Sequence, residues 1–316
     1  SDYLWHDAPD GGACFVTNDG GWIYVSNSEI MHHGGVGAIA FDGNGEIKQA
    51  YSILVKSDRN CAGGATPWGS WLSCEEIATG RVWECYPDGL SPAVVRLALG
   101  VFNHEAVAVD EKNLQLYLTE DEKDGGLYRF TADKFNADGF PDLTAGTLEV
   151  AVMQEGKDAM LDWEVVPDPL ARHAATRYQV SSIKTFNGGE GIAYFDGKII
   201  FTTKGDNRVW VYRIKTKEIE ILYDASNHAT PVLIGVDNIT VSQQGDIYVA
   251  EDGGDMQIVV LDDHGGLSPI VQLQGHALSE ITGLAFSPDG TRLYFSSQRG
   301  SSGLSGGGIT YEVQGF

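Results

Sequence analysis

HEAVAVDEKNLQLYLTEDE, residues 104–122, holds two short strand-like runs around a polar turn. HEAVAVD (104–110) is one run, DEKN (110–113) reads as the turn, and LQLYLTEDE continues around Tyr117. Short alternating segments bounded by turn residues are the signature of an antiparallel hairpin. The second half recurs five more times: GGWIYVSNSE around Tyr24, WGSWLSCEE around Leu72, GKIIFTTKGD around Ile200, GDIYVAEDG around Tyr248 and TRLYFSSQ around Tyr294. Partner runs precede three of these, namely EGIAYF (190–195), DNITVS (237–242) and TGLAFS (282–287). Successive centres lie 48, 45, 83, 48 and 46 residues apart. A period near 46 is that of one four-stranded propeller blade. The sequence therefore predicts an all-β, six-bladed β-propeller forming a single domain over residues 1–316, with an inserted excursion around 153–180.

The chain has 316 residues, 42% of them hydrophobic, and 40 glycines spread between the apolar runs. That is enough apolar material for a large core, with glycine as punctuation. The net charge of −23 repels phosphate backbones and argues against a nucleic-acid partner. No run of 18 apolar residues is present, so no membrane-spanning helix is expected. The first residue is serine and no signal peptide is visible, which suggests a trimmed form. GVGAIA (35–40) matches a dinucleotide-loop pattern but leads into a strand, so that reading fails. Neither a GxSxG elbow nor a P-loop is present. The four cysteines show no CxxC spacing; Cys74 and Cys85 flank a turn, and a disulfide across a hairpin is one reading of that pair.

Counting back from each central residue to the start of its partner strand gives Glu105, Glu190, Asp237, Cys61 and Thr282. Cys61 thus holds the register that carboxylates hold in three other blades. Second strands return to the same face with further acids: Glu29, Glu75, Glu76, Glu120, Asp121, Asp206, Glu251 and Asp252. Basic residues nearby in sequence are Arg59, Arg81, Lys204 and Arg299. Taken singly, each acid reads as a solvated turn residue and Cys61 as a buried structural cysteine. Together, in matching register, they predict a cation site at one channel mouth, because crowded unpaired carboxylates destabilise one another. Oxygen ligands favour calcium, and one thiolate adds a transition metal such as iron or zinc. His104, beside Glu105, is a candidate ligand or proton donor, while His32 and His33 read as an exposed loop pair.

NCAGGATPWGSWLSCEE (60–76) closely resembles the signature of PhoX-type alkaline phosphatases. FNHEAVAVD (102–110), GLYRF (126–130), FNGGEG (186–191), DNIT (237–240), EDGG (251–254) and EITGLAFSPDG (280–290) match in the same order, as in a compact member of that family. The resemblance implies a six-bladed propeller with iron and calcium at its mouth, phosphate-monoester hydrolysis, and export to the periplasm or beyond. It implies Cys61, Glu76, Glu105 and Glu190 as iron ligands and Asp237, Asn238, Asp252 and Glu280 as calcium ligands. Two positions depart from the pattern. Gly188 stands where an arginine precedes the glutamate, and Arg299 replaces the histidine of the closing QHPG motif. His104, Lys204 or Arg299 would then take over the role of the missing arginine.

The leading expectation is a metal-dependent phosphoester hydrolase, monomeric, acting on a small-molecule substrate. Two alternatives are a calcium-dependent lactonase or phosphotriesterase-like propeller, and a non-catalytic binding propeller stapled by metal.

Overall fold

The computed structural model describes residues 3–262 and 264–315. Among them the regular structure is β-strand apart from three-residue 3-10 turns. Blade I comprises β1 (Pro9–Val16), β2 (Trp22–Ser28), β3 (Gly34–Phe41) and β4 (Ile47–Ser57). Blade II comprises β5 (Asn60–Ala65), β6 (Trp71–Glu75), β7 (Val82–Cys85) and β8 (Val94–Val95). Blade III has five strands: β9 (His104–Asp110), β10 (Gln115–Glu120), β11 (Leu127–Ala132), β12 (Gly146–Met153) and β13 (Leu161–Val165). Blade IV contains β14 (Gly189–Phe195), β15 (Lys198–Thr203), β16 (Arg208–Arg213) and β17 (Glu218–Asp224). Blade V contains β18 (Val236–Val241), β19 (Ile247–Glu251), β20 (Gln257–Leu261) and β21 (Leu267–Gln272). Blade VI contains β22 (Ile281–Phe286), β23 (Arg292–Ser297) and β24 (Ile309–Gln314) among the described residues.

Each sheet is an antiparallel meander in chain order. The first strands β1, β5, β9, β14, β18 and β22 pack side by side and close a ring around the channel. This is a six-bladed β-propeller. The six repeats read from the sequence are β2, β6, β10, β15, β19 and β23, the second strand of each blade. The core is divided accordingly into six wedges, one at each blade interface. Blades VI and I meet through the Tyr24–Tyr294 stack at 5.0 Å and the Thr282 hydroxyl, which donates to the Pro9 carbonyl at 2.8 Å.

The expected excursion at 153–180 falls on β13 and the coil that follows it. That coil turns back to the mouth side, where Arg177 pairs with Glu120 at 2.9 Å. The disulfide reading of Cys74 and Cys85, left open by the sequence, does not hold. Cys74 pairs in register with Val82 and Cys85 with Trp71, and all four cysteines are free. The two thiols sit in different wedges, Cys74 between blades II and III and Cys85 between blades I and II.

One irregularity recurs and decides where the site forms. In blades I to V, two residues of the first strand oppose one of the second. The extra pairs are Asp10–Gly11, Cys61–Ala62, Glu105–Ala106, Glu190–Gly191 and Asp237–Asn238; blade VI makes the same shift one step later. Such a β-bulge bends the strand and re-aims a side chain. Blades also approach closely just below the bulges. A Cβ on Gly64 would lie 2.0 Å from the Val107 carbonyl, so only glycine fits there.

Candidate metal centre

The bulges of blades I to V deliver Asp10, Cys61, Glu105, Glu190 and Asp237 to an inner ring at the channel mouth, and Thr282 holds the matching position in blade VI, just before its bulge. An outer ring follows from the residue just after each second strand: Glu29, Glu76, Asp121, Lys204, Asp252 and Gln298. Each outer-ring N–H donates to the carbonyl two residues before the inner-ring side chain, at 2.7–3.2 Å. The acceptors are the carbonyls of Ala8, Arg59, Asn103, Gly188, Gly235 and Glu280. Gly188, Arg59 and Glu280 therefore occupy one structural position in three different blades.

The inner carbonyls are anchored from the preceding blade. Asn27 donates to Cys61 O at 2.9 Å, Thr119 to Glu190 O at 2.6 Å and Thr202 to Asp237 O at 2.5 Å. Each of these donors is the single residue that faces its own blade's bulge. The kink that aims one ligand thus places the group that fixes the next.

Nine members of these rings, with Arg59, Glu280 and Arg299, line a polar cavity of about 230 Å³ that holds eight carboxylates, the Cys61 thiol and three basic side chains, Arg59, Lys204 and Arg299. Arg59 pairs with Glu29 at 2.6 Å and Glu76 at 2.8 Å. Lys204 Nζ meets Glu190, Asp237 and Asp252 at 3.0, 3.1 and 3.2 Å. Arg299 meets Glu280 at 2.8 Å. Three cations do not balance eight acids. Burial, reinforced by neighbouring carboxylates, holds Asp10, Glu105, Glu190 and Glu280 well above the usual carboxylate range. Burial and then Glu29 push Glu76 up to about 9. Burial and then Asp10 and Glu105 raise the Cys61 thiol.

Four overlapping triads bring their ligand atoms within 4.8 Å of one another: Asp10–Glu29–Cys61, Cys61–Glu76–Glu105, Glu105–Glu190–Asp237 and Asp237–Asp252–Glu280. Cys61 Sγ lies 3.3 Å from Glu105 Oε1, and the buried Glu105 Oε2 has no hydrogen-bond partner among the described residues. A sealed, unpartnered carboxylate oxygen beside a thiol is costly by itself and suits a cation. The donor set, one sulfur among many oxygens, fits calcium together with a transition metal such as iron.

Of the residues expected at the site, Cys61, Glu76, Glu105, Glu190, Asp237, Asp252, Glu280 and Arg299 meet at this cavity. His104 does not. It neighbours Glu105 and so turns to the other face of the strand. Its Nε2 meets the Gly100 carbonyl at 3.1 Å and its ring lies 3.6 Å from that of Phe102, fully buried. Desolvation lowers its pKa to about 3, which keeps the imidazole neutral. The proton-donor and ligand readings of His104 are corrected to a packing role. Asn238 is the second bulge residue, and its amide joins blades: Nδ2 donates to Asp237 Oδ1 at 2.9 Å and Oδ1 accepts from Gly283 N at 2.8 Å. It lies outside the cavity lining.

Four of the eight acids expected from the second strands also turn away. Glu75 pairs with Arg81 at 3.0 Å, Glu120 binds Arg177, and Glu251 accepts from Ile234 N and Gln257 N at 3.0 and 2.9 Å. Asp206 pairs with Arg208 at 2.9 Å. Sequence reasoning missed Asp10. Its strand opens Asp-Gly-Gly, close to the Cys-Ala-Gly-Gly of 61–64, and that likeness is the signal that marks it. His32 is exposed and pairs with Asp58 at 2.9 Å.

Similarity to known proteins agrees with this architecture. A Pseudomonas fluorescens PhoX structure, in complex with vanadate, superposes with a TM-score of 0.74 at 18% identity, covering 93% of this chain and 84% of that one. A gluconolactonase from Xanthomonas campestris superposes with a TM-score of 0.56 at 12% identity, covering 93% and 84%. The WD40 propeller domain of Doa1 gives 0.54 at 13%, covering 99% and 95%. At these identities the superpositions establish the propeller fold alone. No curated protein sequence matches the chain closely enough to count as a relative. The family model described as alkaline phosphatase PhoX matches residues 44–89 and 82–212, more than half of the sequence, and on that match the chain belongs to the PhoX alkaline phosphatase family of phosphatase hydrolases.

Proposed function

We propose that this protein is a metal-dependent phosphoester hydrolase whose reaction takes place at the acidic mouth of the propeller channel. One observation carries the reading: eight carboxylates and a thiol share a cavity of about 230 Å³ with only three basic side chains. Cys61, Glu76 and Glu105 would hold iron. Glu190 would adjoin the iron, and Asp10 and Glu29 offer oxygen ligands for calcium, while two acids of the Asp237–Asp252–Glu280 triad already pair with Lys204. Bound metal supplies Lewis acidity and lowers the pKa of a water that it holds.

The chain's own residues do the rest. Arg59 and Arg299 stand at the rim, about a third exposed at 34% and 31%, and offer guanidinium donors to phosphoryl oxygens. They compensate for Gly188, which leaves the position that Arg59 and Glu280 fill in other blades without a side chain. The rings are fixed by backbone hydrogen bonds at every blade, so the ligand array is formed before substrate arrives. None of the described helical turns is long and apolar enough to cross a membrane. Export to the periplasm or beyond, and a monomeric state, are part of this proposal through the family relationship.

The test is elemental analysis of the purified protein alongside turnover of p-nitrophenyl phosphate, a phosphotriester and a lactone. Iron and calcium in the protein, with preference for the monoester, are expected. A metal-free preparation with full phosphatase activity, or turnover of the lactone alone, overturns the reading.

A further inference from the structure

The outer ring carries acids in four blades (Glu29, Glu76, Asp121 and Asp252), an amide in blade VI (Gln298) and a lysine in blade IV (Lys204). That single reversal of charge points inward. Lys204 Nζ lies 3.0 Å from Glu190 Oε1, 3.1 Å from Asp237 Oδ2 and 3.2 Å from Asp252 Oδ2. An ammonium is a compact charge with three donors, and here three carboxylates surround it. Two of them, Asp237 and Asp252, belong to the triad completed by Glu280; Glu190 and Asp237 belong to the triad completed by Glu105. One side chain therefore occupies the space that both triads would offer to an ion.

The opposite side of the mouth differs. Among the described residues no basic side chain pairs with Cys61 or Glu105, and Glu105 Oε2 has neither a hydrogen bond nor an ion pair, whereas Glu190 Oε1, also without a hydrogen bond, lies 3.0 Å from the Lys204 ammonium. Arg59 reaches only outer-ring acids, Glu29 and Glu76. The inner ring is thus bare toward blades II and III and filled toward blades IV and V.

We propose that Lys204 is a built-in cation that takes the place of one divalent ion on the blade IV–V side, confining metal to the side that holds Cys61. This inference rests on the metal-dependent reading given above. A divalent ion held by Asp237 and Asp252 would sit against the ammonium, and like charges that close exclude one another. The lysine therefore makes that half of the site permanent, insensitive to ambient calcium and to chelators.

The experiment compares the wild-type protein with Lys204→Met and Lys204→Arg, each dialysed against calcium and counted by elemental analysis. Lys204→Met is expected to bind one more calcium per chain than the wild type, and Lys204→Arg the same number as the wild type. An unchanged count in a folded Lys204→Met protein overturns the proposal. A second measurement needs no variant. Acylation of Lys204 by an N-hydroxysuccinimide ester is mapped with and without calcium. Unchanged labelling supports the proposal, and a calcium-induced rise, showing the lysine displaced, refutes it. A wild type without any metal refutes the reading of the site; metal on the Cys61 side with an unchanged count in Lys204→Met refutes the lysine's role alone.

Discussion

The thiol of Cys61 lies 3.3 Å from the carboxylate of Glu105, contributed by neighbouring blades, and no basic side chain pairs with either among the described residues. Replacing Cys61 by serine keeps the volume and removes the soft ligand. The variant is expected to lose at least one transition-metal equivalent and about tenfold or more of its phosphatase activity. Elemental analysis and the visible absorption spectrum check the first outcome, and steady-state kinetics the second.

Asn27 ties blade I to the bulge of blade II. Its amide donates to Cys61 O and Ala62 O at 2.9 and 2.8 Å and accepts from Trp71 Nε1 and Ser73 Oγ at 2.8 and 2.9 Å. Asn27→Ala removes a hydrogen bond from each of four buried polar groups, of which Ser73 Oγ keeps the bond it accepts from Asn60 at 2.9 Å. A loss of about 3 kcal/mol in unfolding free energy is expected from denaturant titration.

The approach of blades II and III at Gly64 is just as restrictive. With a methyl group only 2.0 Å from the Val107 carbonyl, Gly64→Ala must push two innermost strands apart. A destabilisation of about 3 kcal/mol or more is expected, with a weaker metal count, because the displaced strands carry Cys61 and Glu105.

Arg299 carries the rim charge in the place of the histidine that the family motif has. Arg299→Ala is expected to raise KM for p-nitrophenyl phosphate about tenfold, the scale of one charge-assisted hydrogen bond. Binding of phosphate as a competitive inhibitor should weaken by the same factor, and a neutral lactone should be unaffected.

His6 sets a pH dependence away from the mouth. Its Nδ1 is sealed from solvent without a partner among the described residues, and its ring lies 4.3 Å from that of Trp5. Desolvation lowers its pKa from 6.5 to about 4. The unfolded chain therefore binds a proton that the folded one refuses between those values. Stability is expected to be level above pH 7 and to fall as the pH drops from 6.5 toward 4, by on the order of 2 kcal/mol. In His6→Gln that part of the decline should vanish from the pH profile of thermal unfolding.

The propeller was legible because each second strand repeats one alternating apolar pattern, and pairing with β9, β14, β18 and β22 follows from hairpin chemistry. The site was legible only to the resolution of a residue or two. Adjacent acids such as Glu75 and Glu76 look alike in sequence, yet strand alternation sends one to Arg81 and the other to the cavity. The same parity hides His104 behind Glu105. The bulge then breaks parity, so Asn238 follows Asp237 without joining it at the mouth. Asp10 escaped the register count for a metric reason. The turn at 17–21 is one residue longer than that at 111–114, and β1 runs one residue further beyond Asp10 than β9 does beyond Glu105. Lys204 was visible as a nearby base, but its encirclement by acids from blades IV and V is a property of the closed ring.

The repeated two-for-one kink has an evolutionary corollary. Every blade presents its own letter at the rim through the same backbone device, so a point mutation can rewrite one letter and leave the scaffold untouched. Thr282, Gln298 and Gly188 already spell neutral characters where their counterparts are charged. Such a mouth can drift from one reaction to another, blade by blade, without ever passing through an unfolded ancestor.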